Sequence, residues 1–295
     1  MPCSAYAFAG RSSIGSLPPG PGPHPAIVAL HGASDGSRHF FLFRHLAEVL
    51  PRVGISVLRY DRQGKNVAFD DQVSHAIDAI EALSAHSDID RERIGLWGFS
   101  QGAWIASLVV AQGTDVRALV LVSAAGVSPV AQMRYGTTFH LQRAGFDDKA
   151  VERMLHLRHA VEQYNRGESD RATAQSTVDA AADEPWFELA YVRRTLPEQS
   201  GWWPDADFDP EPVFAAVRIP VLLLYGETDE WIPIDESIAT WQRVLRRSGS
   251  ALVTIVRIPG TAHHPTLGGR LDETAIAPEY SRVLVDWLRA HLAQA

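Results

Sequence analysis

The stretch "RIGLWGFSQGAWIASLVVAQG", residues 93–113, decides the fold. Its first third is a short apolar run typical of a buried strand, and the remainder is typical of a helix. Ser100 lies at the junction, with Gly98 two residues before it and Gly102 two residues after it. Because a strand and a departing helix pass close together at such a junction, a side chain at either glycine would clash. The stretch therefore predicts a tight strand–turn–helix unit whose serine hydroxyl points out of the sheet.

The pentapeptide around Ser100 is weak evidence when it stands alone. The Gly-x-Ser-x-Gly pattern occurs by chance in many proteins, where the serine only caps a helix. A free serine is a poor nucleophile, so catalysis requires a general base and an acid that orients the base. The helix after Ser100 adds unsatisfied N–H groups and the positive end of a dipole. The rest of the chain must supply the partners.

Short apolar runs that end in turn residues recur along the chain, and each is typical of a strand buried on both faces of a parallel sheet. These runs are "AIVALHG" (26–32), "ISVLRYD" (55–61), "RALVLVSA" (117–124), "IPVLLLYG" (219–226) and "LVTIVRIPG" (252–260). Helical spacing separates most of them, as in Val73, Ile77 and Ile80. The alternation predicts an α/β fold with a doubly wound, mostly parallel sheet, which binds ligands beyond the carboxyl ends of its strands.

Residues 129–214 interrupt this alternation. They contain no convincing buried strand and are rich in charged residues and helix formers, as in "DDKAVERMLHLRHAVEQYN" (147–165). We therefore predict a core domain of residues 1–128 and 215–295, with a helical cap inserted at 129–214. An insertion that leaves from the carboxyl end of a strand would lie over the site. A separately folded binding module is the alternative.

A candidate acid follows the predicted strand at 219–226. Asp229 lies just beyond the strand end, and Glu227 and Glu230 are nearby competitors. Acids in surface loops are usually only solvated, so Asp229 is a candidate because of its position in the chain and not because of its residue type. Asp229 follows a strand and comes after Ser100 in the chain, which is one known order of nucleophile and acid.

The candidate base lies in the loop after the run at 252–260. Both His263 and His264 are there, and we favour His263 because of its spacing from Gly260. A lone loop histidine is more often plain surface, and we expect one of this pair to be that. A serine, an aspartate and a histidine in this order, each after a different strand, are far more specific than any single motif.

Acyl transfer also needs two N–H donors directed at the oxygen on which negative charge develops. One candidate is the backbone N–H of Gln101, the residue after the candidate nucleophile. The other is the backbone N–H of Ala33, in the loop that follows His31 and Gly32. The alternative is that this glycine only makes a turn after a strand. His31 itself either orders the loop by hydrogen bonding or lines the substrate site.

With these residues in place, the chain from about residue 23 onward resembles the α/β-hydrolase superfamily. Several segments are similar to a carboxylesterase-like branch related to dienelactone hydrolases and acyl-peptidase-type serine hydrolases. The segments are "PHPAIVALHG", "VLRYDRQGKN", "IGLWGFSQGAWIA", "LVSAAGVSP", "VLLLYGETDEWIP" and "IPGTAHH". The resemblance implies Ser100 as the nucleophile, Asp229 as the acid and His263 as the base, with no metal or organic cofactor.

The chain departs from this family in two places. Such enzymes usually carry more strand before the loop at His31, and only about thirty residues precede it here. We therefore expect a reduced N-terminal edge of the sheet. The turn "YDRQGKN" (60–66) lacks the Gly-x-Gly-x-Ser continuation often seen there. We expect an unusual substrate-side loop after Tyr60.

The sequence favours a serine hydrolase that cleaves a small or medium carboxylic ester through an acyl-enzyme intermediate. A thioesterase, a peptidase or amidase, a lactonase or an acyltransferase would use the same triad, and the fold does not choose among them. A non-catalytic ligand-binding protein on a hydrolase scaffold is an alternative of another class. Trp202 and Trp203, in the predicted cap, either pack the cap or line an apolar acyl pocket.

Composition limits the partners. The formal net charge of −8 argues against a nucleic-acid partner held by phosphate contacts, and the 46% of hydrophobic residues argues against disorder. A single cysteine, Cys3, excludes an intramolecular disulfide and a cysteine metal cluster. No stretch resembles a signal peptide or a membrane span, so we expect a cytoplasmic protein without a membrane partner. The expected partner is a small-molecule acyl substrate. The oligomeric state stays open, with a homodimer as one option.

Overall fold

The predicted strands lie side by side in one sheet. The computed structural model describes residues 3–4, 7–8, 11–34, 36–62, 64, 67–248 and 252–293. The strands are β1 (Cys3–Ser4), β2 (Ala7–Phe8), β3 (Arg11–Ser16), β4 (His24–Leu30), β5 (Ser56–Tyr60), β6 (Ile89–Phe99), β7 (Ala118–Val122), β8 (Val221–Gly226) and β9 (Val253–Ile258). Their order is β1-β3-β5-β4-β6-β7-β8-β9, with β2 paired to β3. Strands β4 to β9 pair in parallel, which confirms the predicted fold class.

The N-terminal edge of the sheet is antiparallel. Strand β3 pairs with β5, and the two-residue strands β1 and β2 pair with β3. The sequence pattern indicated none of these three strands. An antiparallel edge strand does not need the continuous apolar run by which a strand buried on both faces is recognised.

Helices connect the parallel strands, as the alternation predicted. They are α1 (Phe41–Val49), α2 (Phe69–Ser84), α3 (Gln101–Ala111), α4 (Pro129–Arg143), α5 (Asp148–Asn165), α6 (Arg171–Ala181), α7 (Pro210–Ala216), α8 (Ile234–Ser248) and α9 (Pro278–Leu288). The predicted helical positions Val73, Ile77 and Ile80 lie in α2. Within the described residues, no helix combines the length and the apolar composition that crossing a membrane would require.

The central strands are apolar because helices cover both faces of the sheet. Every residue of β7 and of β8 is buried. Hydrogen bonds between buried polar groups also join helices to the sheet. The indole Nε1 of Trp97, on β6, donates to the hydroxyl of Tyr280 at 3.0 Å and so ties α9 to the sheet.

The chain divides into two compact units. The first comprises Met1–Gly126, Asp209–Asp229 and Ile234–Ala295, and the second comprises Val127–Phe208 and Glu230–Pro233. The first unit holds the sheet. The second holds α4, α5 and α6 around its own apolar core, which includes Met154, Leu157 and Trp186.

These bounds differ from the predicted insertion at 129–214 in two respects. Helix α7 belongs with the sheet, because the Phe214 ring stacks on the Trp241 ring of α8 at 4.1 Å. The short segment Glu230–Pro233 belongs with the helical unit. There Trp231 packs against His140 of α4, with ring centroids 4.7 Å apart.

Candidate active site

Ser100 occupies a strained turn between β6 and α3. Its φ of 53° lies in the left-handed region, which non-glycine residues rarely adopt. Its backbone N–H donates to the carbonyl of Val122 at 2.8 Å, so the turn is fixed to the end of β7. Strain of this kind persists only where the surroundings hold it, and it clusters at functional sites.

The two flanking glycines have steric reasons that the sequence predicted. A Cβ at Gly98 would overlap the backbone carbonyl of Gly102 in the departing helix. A Cβ at Gly102 would lie 2.5 Å from the carbonyl oxygen of Leu30, at the end of the neighbouring strand β4. Backbone atoms cannot move aside as side chains can, so both positions require glycine.

The structure brings Asp229 and His263 together. Nδ1 of His263 lies 2.9 Å from Oδ1 and 3.1 Å from Oδ2 of Asp229. Both residues are buried, at 2% exposed for the aspartate and 8% for the histidine. Since a buried carboxylate needs a hydrogen-bonding partner, this contact fixes the orientation of the imidazole ring. The ring of Phe99, directly before Ser100, lies 5.0 Å from the His263 ring.

The loop that carries His263 is fixed at several points. The hydroxyl of Ser123, at the end of β7, donates to the carbonyl of His263 at 2.8 Å. The backbone N–H of Thr228, next to Asp229, donates to the carbonyl of Thr261 at 3.1 Å. The acid loop and the base loop are therefore held to each other through backbone as well as through side chains.

The competing acids have other surroundings. Glu227 is exposed, and its carboxylate accepts a long hydrogen bond of 3.3 Å from the backbone N–H of Gly260. Glu230 belongs to the helical unit, where its charge acts on His140.

His264 is half-buried, whereas we expected one member of the histidine pair to be a plain surface residue. Its ring packs against the rings of Phe40, Phe41 and Phe99, at centroid distances of 6.2, 5.7 and 4.9 Å. Burial, and then the charge of His263, lowers the pKa of His264 to about 4. A surface position was the natural expectation, because a loop sequence does not reveal that aromatic side chains from α1 and β6 cover it.

The two candidate N–H donors lie where the C-terminal end of β4 comes close to the N-terminal end of α3. Gln101 is the first residue of α3, so its N–H is one of those that a helix leaves unpaired. Ala33 lies in the loop after β4, just beyond Gly32. A Cβ on Gly32 would lie 2.9 Å from the ring of Phe99, so this loop runs close to the turn at Ser100.

His31 is buried beneath this loop. It is 3% exposed and packs between the rings of Phe43 and Tyr60, at 4.7 and 5.3 Å. Burial, and then the charge of Arg62, lowers the pKa of His31 to about 3, so the ring is neutral at neutral pH. These surroundings favour the loop-ordering role over the substrate contact.

Sequence reasoning missed Arg62 and Gln72. The Arg62 guanidinium donates to the carbonyls of Gly32 and Ala33 at 2.6 and 2.8 Å, and Gln72 donates to the Gln101 side chain at 3.2 Å. One signal could have found Arg62. It is a charged residue two positions after the buried strand β5. The other candidates likewise follow the carboxyl ends of parallel strands.

The two tryptophans lie in the helical unit and are half-buried. The ring of Trp202 packs 5.3 Å from the ring of Tyr164, and the backbone of Trp203 exchanges two hydrogen bonds with the Asn165 side chain. Packing within the unit accounts for these contacts, and the expected contact with an acyl chain stays a prediction. In the part of the chain that is described, no group of three or more His, Cys, Asp or Glu side chains is arranged to hold a metal ion.

The alpha/beta hydrolase family matches this chain over residues 27–276. Acyl-coenzyme A thioesterase 5 of Mus musculus is 27% identical over 138 residues, which are 43% of this chain. The aligned segment spans only 31% of the mouse protein.

Solved structures show the same fold. Est1E from Butyrivibrio proteoclasticus has a TM-score of 0.62 at 14% identity, with 100% of both chains covered. Proline iminopeptidase from Mycobacterium smegmatis has a TM-score of 0.60 at 18% identity, with 99% of each chain covered. At these identities, the likeness is one of fold.

Proposed function

Because this chain belongs to the alpha/beta hydrolase family, we propose that it is a serine hydrolase that cleaves a small or medium carboxylic ester. The proposed triad is Ser100, His263 and Asp229. The observation that carries the proposal is the buried 2.9 Å contact between His263 Nδ1 and Asp229 Oδ1. It lies at the sheet edge where Ser100 adopts its strained turn.

The geometry suggests how the reaction starts. Asp229 occupies Nδ1 of His263, so the proton stays on that nitrogen and Nε2 is the atom that acts as base. Nε2 takes the hydroxyl proton of Ser100 while Oγ attacks the ester carbonyl carbon. The negative charge that forms on the carbonyl oxygen is stabilised by the N–H groups of Ala33 and Gln101. Asp229 stabilises the imidazolium that results.

The second half of the reaction releases the acid. The proton on Nε2 passes to the alcohol oxygen as the ester bond breaks, which leaves the acyl group on Ser100. His263 Nε2 then takes a proton from water as the water oxygen attacks the acyl carbon. The bond between the acyl carbon and Ser100 Oγ breaks, and Nε2 returns the proton to Oγ, which restores the free serine. The products are an alcohol and a carboxylic acid. Water is the only co-substrate, and the proposed steps use no metal or organic cofactor.

A thioester is the second candidate substrate class. The observation that favours it is the 27% identity to the mouse acyl-coenzyme A thioesterase over 43% of this chain. The same triad attacks a thioester carbonyl, and the leaving group is then a thiol. Esters, thioesters and amides of matched acyl chain length, compared by kcat/KM, would rank these classes.

A fluorophosphonate probe tests the nucleophile. We expect covalent labelling of the wild type and loss of labelling in Ser100→Ala. Ser107→Ala is the matched control, because Ser107 lies in α3, directly after the turn at Ser100, and its hydroxyl donates to the carbonyl of Ala103 at 2.9 Å. An unlabelled but folded wild type would contradict the hydrolase proposal. Equal labelling of the wild type and Ser100→Ala would contradict the assignment of Ser100 as the nucleophile.

The two neighbouring histidines test the base. We expect His263→Ala to abolish turnover of p-nitrophenyl esters and His264→Ala to retain most of it, because His263 is the ring bonded to Asp229. Circular dichroism on both variants separates loss of catalysis from loss of folding. The reverse result would assign the base to His264.

A further inference from the structure

We infer that Arg62 is a positioning residue that holds both proposed oxyanion donors, the backbone N–H groups of Ala33 and Gln101. The inference rests on the proposed function and goes beyond it, because the triad chemistry does not require an arginine at this position. It also gives a role to the "YDR" turn after β5 and to the Gln101 side chain.

The first contact of Arg62 is with the peptide bond between Gly32 and Ala33. Arg62 Nη1 donates to the carbonyl oxygen of Gly32 at 2.6 Å. A trans peptide is planar, so its carbonyl and its N–H point in opposite directions. Holding the Gly32 carbonyl therefore also sets the direction of the Ala33 N–H. A cation on the carbonyl polarises the peptide and makes the N–H a stronger donor.

The second contact of Arg62 is with the side chain of Gln101. Its Oε1 accepts from Arg62 Nη1 at 3.3 Å and from Gln72 Nε2 at 3.2 Å. Gln72 also donates to the carbonyl of Val67 at 2.8 Å, which fixes it in turn. One guanidinium thus contacts the residue of each proposed donor.

A third contact strengthens the hold on the loop. Arg62 Nη2 donates to the carbonyl of Ala33 at 2.8 Å, and the Arg62 backbone N–H donates to the carbonyl of Gly36 at 2.8 Å. The loop after β4 is thereby bonded at both Ala33 and Gly36 to the residue that follows β5 by two positions. Neighbouring His31 is neutral, so it adds no charge next to the guanidinium.

Lysine would not replace this arginine. A guanidinium presents five donors in a rigid planar fork, so Nη1 and Nη2 reach two carbonyls and an amide at once. An ammonium is a compact point charge on a flexible stem and does not hold several acceptors in a fixed plane. Arg62→Lys therefore keeps the charge and loses most of the positioning.

Arg38→Met is the matched control. Arg38 lies in the same loop, and its side chain pairs with Asp61, the residue before Arg62. Its backbone N–H donates to Asp61 Oδ1 at 2.7 Å, and the substitution leaves this donor in place. Arg38→Met therefore also loosens the contact between the loop after β4 and the segment after β5. Among the described residues, no contact of the Arg38 side chain with Gly32, Ala33 or Gln101 is seen.

The test compares kcat and KM for a p-nitrophenyl ester in Arg62→Met, Arg62→Lys and Arg38→Met. Loss of one oxyanion donor lowers kcat by about 10²–10³-fold, so we expect Arg62→Met to lose about 10²-fold in kcat with KM within about threefold. Arg62→Lys should lose about tenfold, and Arg38→Met about threefold or less. Equal kcat losses in Arg62→Met and Arg38→Met, or a loss confined to KM, would overturn the inference. If Arg62→Met fails to fold, Arg62→Lys decides it alone.

Hydrogen exchange measured by mass spectrometry separates this inference from the proposed function. We expect peptides that cover Gly32 and Ala33 to exchange faster in Arg62→Met than in Arg38→Met. Unchanged exchange overturns the inference even if the enzyme is active. If the wild type neither turns over esters nor reacts with the fluorophosphonate, the proposed function fails, and faster exchange still supports the contact between Arg62 and the loop.

Discussion

Each of the two units buries a carboxylate, and the two carboxylates have different partners. In the sheet unit, Asp229 is 2% exposed and bonds to the imidazole of His263 in the loops beyond β8 and β9. In the helical unit, Glu162 of α5 is 4% exposed. It accepts from Arg134 Nε of α4 at 3.0 Å and lies 3.6 Å from Arg158 Nη2.

The difference lies in the partner and in the element that carries it. Arg134 and Arg158 are permanent cations on helices, so their positive charges balance the negative charge of Glu162. These three side chains join α4 to α5. Burial lowers the pKa of Arg158, and the charge of Glu162 opposes that shift. His263 is an imidazole on a loop, and imidazole is the side chain whose ordinary pKa allows proton transfer near neutral pH. A buried carboxylate therefore indicates a catalytic site only when the residue it pairs with is also considered.

The largest effect should come from the carboxylate of the sheet unit. We expect Asp229→Asn to lower kcat for an ester by about 10⁴-fold, because the amide no longer holds the His263 tautomer that leaves Nε2 free. The fold should survive, since the change is nearly isosteric. Steady-state kinetics and thermal unfolding on the same sample check both parts. A loss under tenfold would remove Asp229 from the triad.

The carboxylate of the helical unit should show the opposite pattern. Glu162→Gln leaves Arg158 buried without a counter-charge, so we expect the free energy of unfolding to fall by about 3 kcal/mol. Urea unfolding measures this change, and kcat per folded molecule should stay within about twofold. Glu188→Gln is the control, because the Glu188–Arg194 pair is exposed and should contribute about 0–1 kcal/mol. Equal losses in the two variants would contradict the distinction.

A smaller effect should follow from steric crowding in the helical unit. A Cβ at Gly136 of α4 would overlap the Trp231 ring. Alanine favours a helix by about 1 kcal/mol relative to glycine, but the overlap costs more than this gain. We therefore expect Gly136→Ala to lower the free energy of unfolding by a net of about 1–2 kcal/mol. The double variant with Trp231→Leu should recover part of the loss, since the smaller side chain relieves the overlap. Additive losses in thermal unfolding would show that the two residues do not compete for space.

The smallest effect should appear as a pH dependence. Burial lowers the pKa of His264 to about 4, whereas the unfolded value is 6.5. Between these values the unfolded chain binds a proton that the folded chain does not, so stability is fully present above pH 6.5 and falls as the pH drops toward 4. We expect His264→Gln to lessen the fall in Tm over this window by a few degrees. An identical pH dependence in the variant would contradict the pKa shift.

Much of the fold was predictable because buried parallel strands leave a local pattern. The runs at 26–32, 55–61, 117–124, 219–226 and 252–260 all became strands, within a few residues of their ends. The antiparallel edge strands were missed, since they lack such a run. Helix α7 was assigned to the insertion, because the stacking of Phe214 on Trp241 leaves no local pattern.

The candidate site was predictable in outline. Strand ends of a parallel sheet meet at one edge, so Asp229 and His263 could be expected near Ser100 from chain order alone. The burial of His264 among aromatic rings and the contacts of Arg62 were not predictable. They join residues far apart in sequence, and charge and residue type say nothing about such distances.

The sequence by itself determined the parallel strands of the sheet and the turn that requires glycine on either side of Ser100, because these depend on local pattern and local sterics. Only the tertiary structure decided which histidine bonds to Asp229 and which carbonyls Arg62 holds. Those contacts depend on the distance and angle between separate loops. That geometry is set by how the whole sheet and its helices pack.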